Sequence, residues 1–214
     1  MHIPDGYLSP ATVVLTYAVA VPLWITGFKR LRRELNEETL PLIGALAALS
    51  FIIMMFNIPI PGGTSGHAVG AALIAILFSP WVAFVAVSLV LLIQALLFGD
   101  GGISTFAANA LSMAFVGSFV GYYVFTWLKN RSYAPFAAGW SALVASSVLT
   151  AFLLGIQPIF WHQGAQPLYF PFSLRVTFPA LVLPHMLFFG VAEGIFTALV
   201  YRYLHQKELG EKAA

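Results

Sequence analysis

Trp81-Val82-Ala83-Phe84-Val85-Ala86-Val87-Ser88-Leu89-Val90-Leu91-Leu92-Ile93-Gln94-Ala95-Leu96-Leu97-Phe98 runs from residue 81 to residue 98 without a charged side chain. A helix that crosses a bilayer needs about 20 mostly apolar residues, and this stretch reads as one. Further apolar stretches lie at roughly 9–28, 40–56, 104–128, 134–156 and 178–204. A shorter one, 67–79, sits directly before the first and is split from it by Ser79-Pro80, which suits a short tilted helix or a half-helix. The expected fold is therefore an all-α, multi-pass integral membrane protein with about seven transmembrane helices.

Composition agrees. The chain has 214 residues, of which 60% are hydrophobic and 8% charged, whereas a soluble domain carries about 25% charged residues. So few charges cannot coat a soluble surface, and a net charge of +2 is too small to point to nucleic acid. There is no internal repeat and no linker, so residues 1–214 read as one domain. The absence of cysteine excludes disulfides and thiolate metal sites. Met1-His2-Ile3-Pro4-Asp5-Gly6 has neither the basic start nor the cleavage site of a signal peptide, so the mature chain is expected to begin at or near Met1.

Lys and Arg set the orientation. With the N-terminus outside, the cytoplasmic side holds Lys29, Arg30, Arg32, Arg33, Lys129 and Arg131, and a C-terminal tail with Arg202, Lys207 and Lys212. Only Arg175 falls outside. The outer segments are then the N-terminus, 57–66, 99–103 and 157–177. The run Asn57-Ile58-Pro59-Ile60-Pro61-Gly62-Gly63-Thr64-Ser65-Gly66-His67 cannot be a continuous helix. Non-helical backbone near membrane depth is tolerated where it is buried in protein or lines a cavity, so this loop is expected to wall a site.

His2 carries the chemistry. Methionine is retained before a residue as large as histidine, so the α-amine of Met1 is expected to be free. The Met1 amine, the His2 amide nitrogen and the His2 Nδ1 are then linked by short tethers that close a five-membered and a six-membered chelate ring. Square-planar nitrogen coordination points to Ni(II) or Cu(II). His67, expected on the same side of the membrane, is the candidate for a fourth nitrogen. Binding should weaken at acid pH, because the ligands must lose their protons.

Met1-His2-Ile3-Pro4-Asp5-Gly6-Tyr7-Leu8 resembles the N-terminal signature of the CbiM/NikM family, the substrate-specific components of energy-coupling factor (ECF) transporters for cobalt and nickel. The similarity continues in Pro59-Ile60-Pro61-Gly62-Gly63-Thr64-Ser65-Gly66-His67. It appears again in Gln94-Ala95-Leu96-Leu97-Phe98-Gly99-Asp100-Gly101-Gly102 with Asn109, and in His185 and Glu193-Gly194. The resemblance implies that Met1, His2 and His67 bind the metal, with Ni²⁺ or Co²⁺ as transported substrate, and that there are seven helices. It implies a prokaryotic cell-membrane location and partners: a transmembrane coupling subunit, two cytoplasmic ATPase subunits and, in some members, a small accessory membrane subunit. For a cobalt-type member the resemblance also implies a link to cobalamin biosynthesis. Pro4-Asp5 looks closer to the nickel-type start. The chain has no Gly-x-x-x-x-Gly-Lys-Ser/Thr loop, so ATP hydrolysis falls to partners.

Around the proposed ligands, Asp5, Ser65, Asp100 and Asn109 are the candidates for supporting hydrogen bonds. Asp5 and Asp100 either fix an imidazole tautomer or serve as cap and turn residues. Gln94, like Asn109, either orders the loop or satisfies nearby backbone. In Trp161-His162-Gln163 an interfacial anchor is favoured over an entry lid. Gly44-x-x-x-Ala48 permits close helix approach, either within the chain or to the coupling subunit. His185 and Glu193 read either as a structural polar pair or as the ion path of a stand-alone metal/proton transporter. An intramembrane metalloprotease is the weakest reading, since there is no His-Glu-x-x-His pattern; the protein is expected not to be an enzyme.

Overall fold

Ser9 opens the first helix. Its hydroxyl accepts the Thr12 amide at 3.2 Å and Pro10 occupies the first helical position, the arrangement that a helix N-terminus favours. The same device, Ser79 capping Val82 N–H ahead of Pro80, starts the central helix. The computed structural model describes residues 1–60, 64–128 and 130–213. Pro61-Gly62-Gly63 and Lys129 lie outside the described residues, as do the side chains of Thr64, Lys207 and Lys212.

Among the described residues the rods are α1 (Pro10–Glu34), α2 (Thr39–Met55), α3 (Ala71–Leu77), α4 (Pro80–Phe98), α5 (Phe106–Leu128), α6 (Ala134–Phe160) and α7 (Leu174–Gln206). Five of these are long and apolar enough to span a membrane, α2 is a shorter apolar helix, and α3 has seven residues. The expected half-helix is thus present, but it begins at Ala71 rather than at residue 67. Glycine explains the delay: Gly70 has φ 78°, a left-handed turn that separates His67 from the helix. The other ends also shift. α1 runs on to Glu34, because Lys and Arg are good helix formers whose stems can follow the rod out of the bilayer. α7 starts at Leu174, so Arg175 sits in its first turn rather than in a loop.

α4 is the centre of the bundle. Its apolar window is 61% buried, against 22% for α1. The apolar residues left exposed on the flanks, such as Leu15, Leu97, Trp127 and Leu199, fit a lipid-facing surface. α6 and α7 approach closely through glycine: a Cβ on Gly139 would lie 2.7 Å from the Glu193 carbonyl, and one on Gly194 2.8 Å from the Phe136 carbonyl. Gly44 makes no such contact within the chain. Nothing lies within 4 Å of a Cβ placed there, and with Ala47 and Ala48 it lines an outward apolar groove of about 640 Å³.

The two ends of the bundle differ. At one, the Ser79 hydroxyl donates to Glu34 at 2.8 Å, and Arg202 donates to the Ser132 carbonyl at 3.0 Å; most of the basic residues gather here. At the other, residues 1–9 fold over the bundle. Two antiparallel hairpins lie at that end: β1 (Ile58–Ile60) with β2 (Thr64–Gly66), and β3 (His162–Gln163) with β4 (Gln166–Pro167). The Gly/Pro-rich loop is thus a short ribbon whose second strand delivers His67.

Candidate metal site

Ile3 fastens the N-terminal segment. Its amide donates to Asn109 Oδ1 at 2.8 Å. Its carbonyl accepts from the Gly102 amide at 2.9 Å, the Thr105 hydroxyl at 2.6 Å and Asn109 Nδ2 at 3.0 Å. Two residues on, the Asp5 carboxylate accepts from the amides of Ile103 (3.1 Å) and Ser104 (2.8 Å) and from the Ser104 hydroxyl. The Ser104 hydroxyl above all holds the Asp5 carboxyl below its ordinary range; burial opposes it, and the neighbouring amides add to the lowering. Glycine makes the fit possible: a Cβ at Gly102 would collide with the Asp5 amide nitrogen, and one at Gly101 would lie 3.4 Å from the His2 ring.

This docking buries the start of the chain. Met1 is 1% exposed, and its amine donates to the Ser65 carbonyl at 2.6 Å. The His2 and His67 rings stack with centroids 4.8 Å apart and planes 23° apart. His67 Nδ1 faces the Ala68 carbonyl at 3.1 Å and therefore carries the proton, which leaves Nε2 with its lone pair. That atom is buried without a partner, and so are both ring nitrogens of His2. Asp100 Oδ1 approaches His2 Nδ1 to 3.2 Å, but the angle is not that of a hydrogen bond. Buried polar atoms without partners are uncommon and call for an explanation such as an ion.

Burial drives the protons off. It pushes the Met1 amine down to about 5, although the Asp100 carboxylate pulls the other way. Burial and the adjacent amine push His2 down to about 3, against a pull from the Gln94 side chain. The Asp100 carboxyl is raised by burial and lowered by the amine. At neutral pH the amine and the His2 ring are thus neutral donors. Among the described residues no three His, Asp or Glu side chains converge as a metal cluster, so a metal held here would draw on main-chain nitrogen. A cavity of about 350 Å³, lined by His2, Pro4, Tyr7, Ser65, Phe170 and Thr177 among others, opens beside the two rings.

A family model described as the cobalt uptake substrate-specific transmembrane region, CbiM, matches residues 2–209. The chain belongs to the CbiM family. Its sequence is 46% identical over 215 residues to the fused nickel transport protein NikMN of Rhodobacter capsulatus, covering 96% of this chain and 62% of that protein. It thus spans about three fifths of the length of that fused relative. It is 32% identical over 219 residues to the cobalt transport protein CbiM of Thermosipho melanesiensis, covering 99% and 91%. A crystal structure of a truncated transition metal transporter matches with TM-score 0.93 at 40% identity, covering 97% of this chain and 99% of that one.

In this CbiM-family chain Met1, His2, His67, Ser65, Asp100 and Asn109 all gather at one place. Asp5 lies alongside but its carboxylate is hydrogen-bonded to the 103–104 turn rather than to an imidazole. Ser65 contributes its carbonyl, not its hydroxyl. His185 and Glu193 hydrogen-bond to main chain rather than to the rings. His185 Nδ1 donates to the Leu181 carbonyl at 2.7 Å, and both Glu193 oxygens are taken by the Val69 and Gly70 amides. His162 is exposed on the β3–β4 ribbon. Nothing in the sequence singles out Thr105, and Gly102 stands out only as part of the 94–102 motif; Gln94, a candidate for ordering the loop or satisfying backbone, is fully buried beside His2 with Oε1 unpartnered. One signal is visible only in the backbone: α4, α5 and α7 each contain a π-helical turn, at Gln94–Phe98, Ala110–Val116 and His185–Phe189. Each begins at or just after a buried polar residue (Gln94, Asn109 and His185), and such turns concentrate at functional sites.

Proposed function

We propose that this chain is the metal-capturing membrane subunit of a nickel or cobalt uptake transporter. It holds the ion with the Met1 amine, the His2 amide nitrogen and Nδ1, and His67 Nε2. The observation that carries this reading is the buried cluster of ring nitrogens without partners: both nitrogens of His2, one of which bears a lone pair in the neutral ring, and Nε2 of His67, beside a buried amine. Nickel is favoured because four nitrogens in a plane suit Ni(II), and the Rhodobacter capsulatus relative bears a nickel transport name; cobalt is the alternative, carried by the Thermosipho melanesiensis name.

Capture proceeds in steps that follow from the geometry. The amine gives up the Ser65 carbonyl. The stacked rings turn, because nitrogen lone pairs lie in the ring plane and two stacked rings hold theirs side by side rather than converging. The His2 amide loses its proton as the metal binds. Asp100, next to His2 Nδ1, offsets part of the remaining positive charge. Delivery across the membrane belongs to an ECF-type assembly, in which a transmembrane coupling subunit and two cytoplasmic ATPase subunits drive release, with a small accessory membrane subunit in some systems.

The test is to load protein that begins at Met1 with Ni²⁺ and measure its magnetism and affinity. A one-to-one diamagnetic complex is expected, as planar nitrogen ligation gives, with an affinity loss on the order of a hundredfold or more in His67→Ala, above that of removing a supporting group. A paramagnetic ion with unchanged affinity in His67→Ala would overturn the reading.

A further inference from the structure

One face of α7 holds the chain both before and after His67. Before it, Gly66 lies flat against Phe189: a Cβ at Gly66 would fall inside contact distance of the Phe189 ring. After it, the amides of Val69 and Gly70 donate to Glu193 Oε2 and Oε1 at 2.7 and 2.8 Å. Residues 189 and 193 are four apart in α7 and so lie on one face. The Val69 carbonyl is itself tied to α2, accepting from the Ser50 hydroxyl at 2.6 Å.

Glu193 is 1% exposed, and burying a carboxylate is costly unless it is fully hydrogen-bonded. Two consecutive backbone amides meet that need with charge-assisted bonds. A glutamine there offers one acceptor and turns an N–H₂ group toward the second amide. An apolar residue leaves both amides bare. The requirement for a carboxylate is thus set by the segment that presents His67, two and three residues downstream of the ring.

We infer that Glu193 is a positioning residue for metal capture, acting through the 66–70 segment to hold His67 Nε2 at the site. The inference rests on His67 being a ligand. It also ties the occupied site to α7, since a shift of that helix moves Phe189 and Glu193, and with them His67.

A double-mutant cycle tests it, with Ni²⁺ titrated into purified full-length protein. Glu193→Gln is expected to weaken binding by about 10- to 100-fold, as loss of a group supporting a ligand does, and to move the visible absorption of the bound nickel toward that of His67→Ala. In the His67→Ala background the same change is expected to cost nothing further, because the ligand it serves is gone. Glu193→Asp keeps the charge on a shorter arm and should show a smaller loss, again confined to the background with His67; it carries the test if the glutamine variant does not fold. An unchanged affinity in Glu193→Gln, or an equal loss with and without His67, would overturn the positioning role while leaving His67 a ligand. An unchanged affinity in His67→Ala would instead remove the ligand assignment and this inference with it.

Discussion

Changing the pH from 6 to 8 should tighten nickel binding by about tenfold per unit, the slope of a single released proton. The count follows from the docked N-terminus. An ordinary α-amine near 8 is about 90% protonated at pH 7 and must shed that proton to bind a metal. Burial lowers the Met1 amine to about 5, where only about 1% remains protonated at pH 7. The His2 ring, lowered to about 3, contributes nothing in this range. The His2 amide is then the main source, giving about one proton rather than about two. The sign of the folding linkage agrees. Between pH 5 and 8 the undocked terminus binds a proton that the docked one does not, so docking strengthens as pH rises through that window and is lost as pH falls through 5. Calorimetric titration in buffers of different ionisation enthalpy counts the protons. Two protons released at pH 7, or a hundredfold change per unit, would refute a pre-neutralised amine.

Four substitutions extend the argument. Asn109→Ala removes both bonds to Ile3 and leaves a buried amide without an acceptor, a cost of about 1–3 kcal/mol; titration should show nickel affinity lower by roughly tenfold or more. Gly102→Ala places a methyl group against the Asp5 backbone and should lower affinity strongly, whereas Gly44→Ala, with open space around it, should leave it unchanged in the same assay. Ser65→Ala should keep affinity within about twofold, because the amine uses the main-chain carbonyl; a large loss would assign the hydroxyl a role.

Much of this was legible in the residues. An uncharged run such as 81–98 has no soluble interpretation, and the Lys and Arg distribution orients the chain. The proposed chelating start could be singled out because its chelate rings depend on sequence neighbours alone, and the Gly/Pro segment because it cannot be helical. What joins them could not. Thr105, Gly102 and Asn109 meet Ile3 across more than a hundred residues of chain or nearly so, and nothing local marks a threonine as the one that holds a distant carbonyl. Glu193 looked like either half of a polar pair or an ion carrier, because its partners are backbone amides, which have no signature in sequence. The helix ends moved for a similar reason: hydropathy marks where apolar residues stop, whereas Gly70 and the basic turn at 29–33 decide where the helix stops.

The most direct test of the central idea, that the terminal amine is itself a ligand, is nickel titration of protein beginning at Met1 beside the same protein carrying one extra glycine ahead of Met1. The extra residue converts the amine to an amide in a position that is 1% exposed, so the account predicts loss of high-affinity binding and of the diamagnetic nickel signal, with the fold retained. Equal affinities for the two proteins would contradict it.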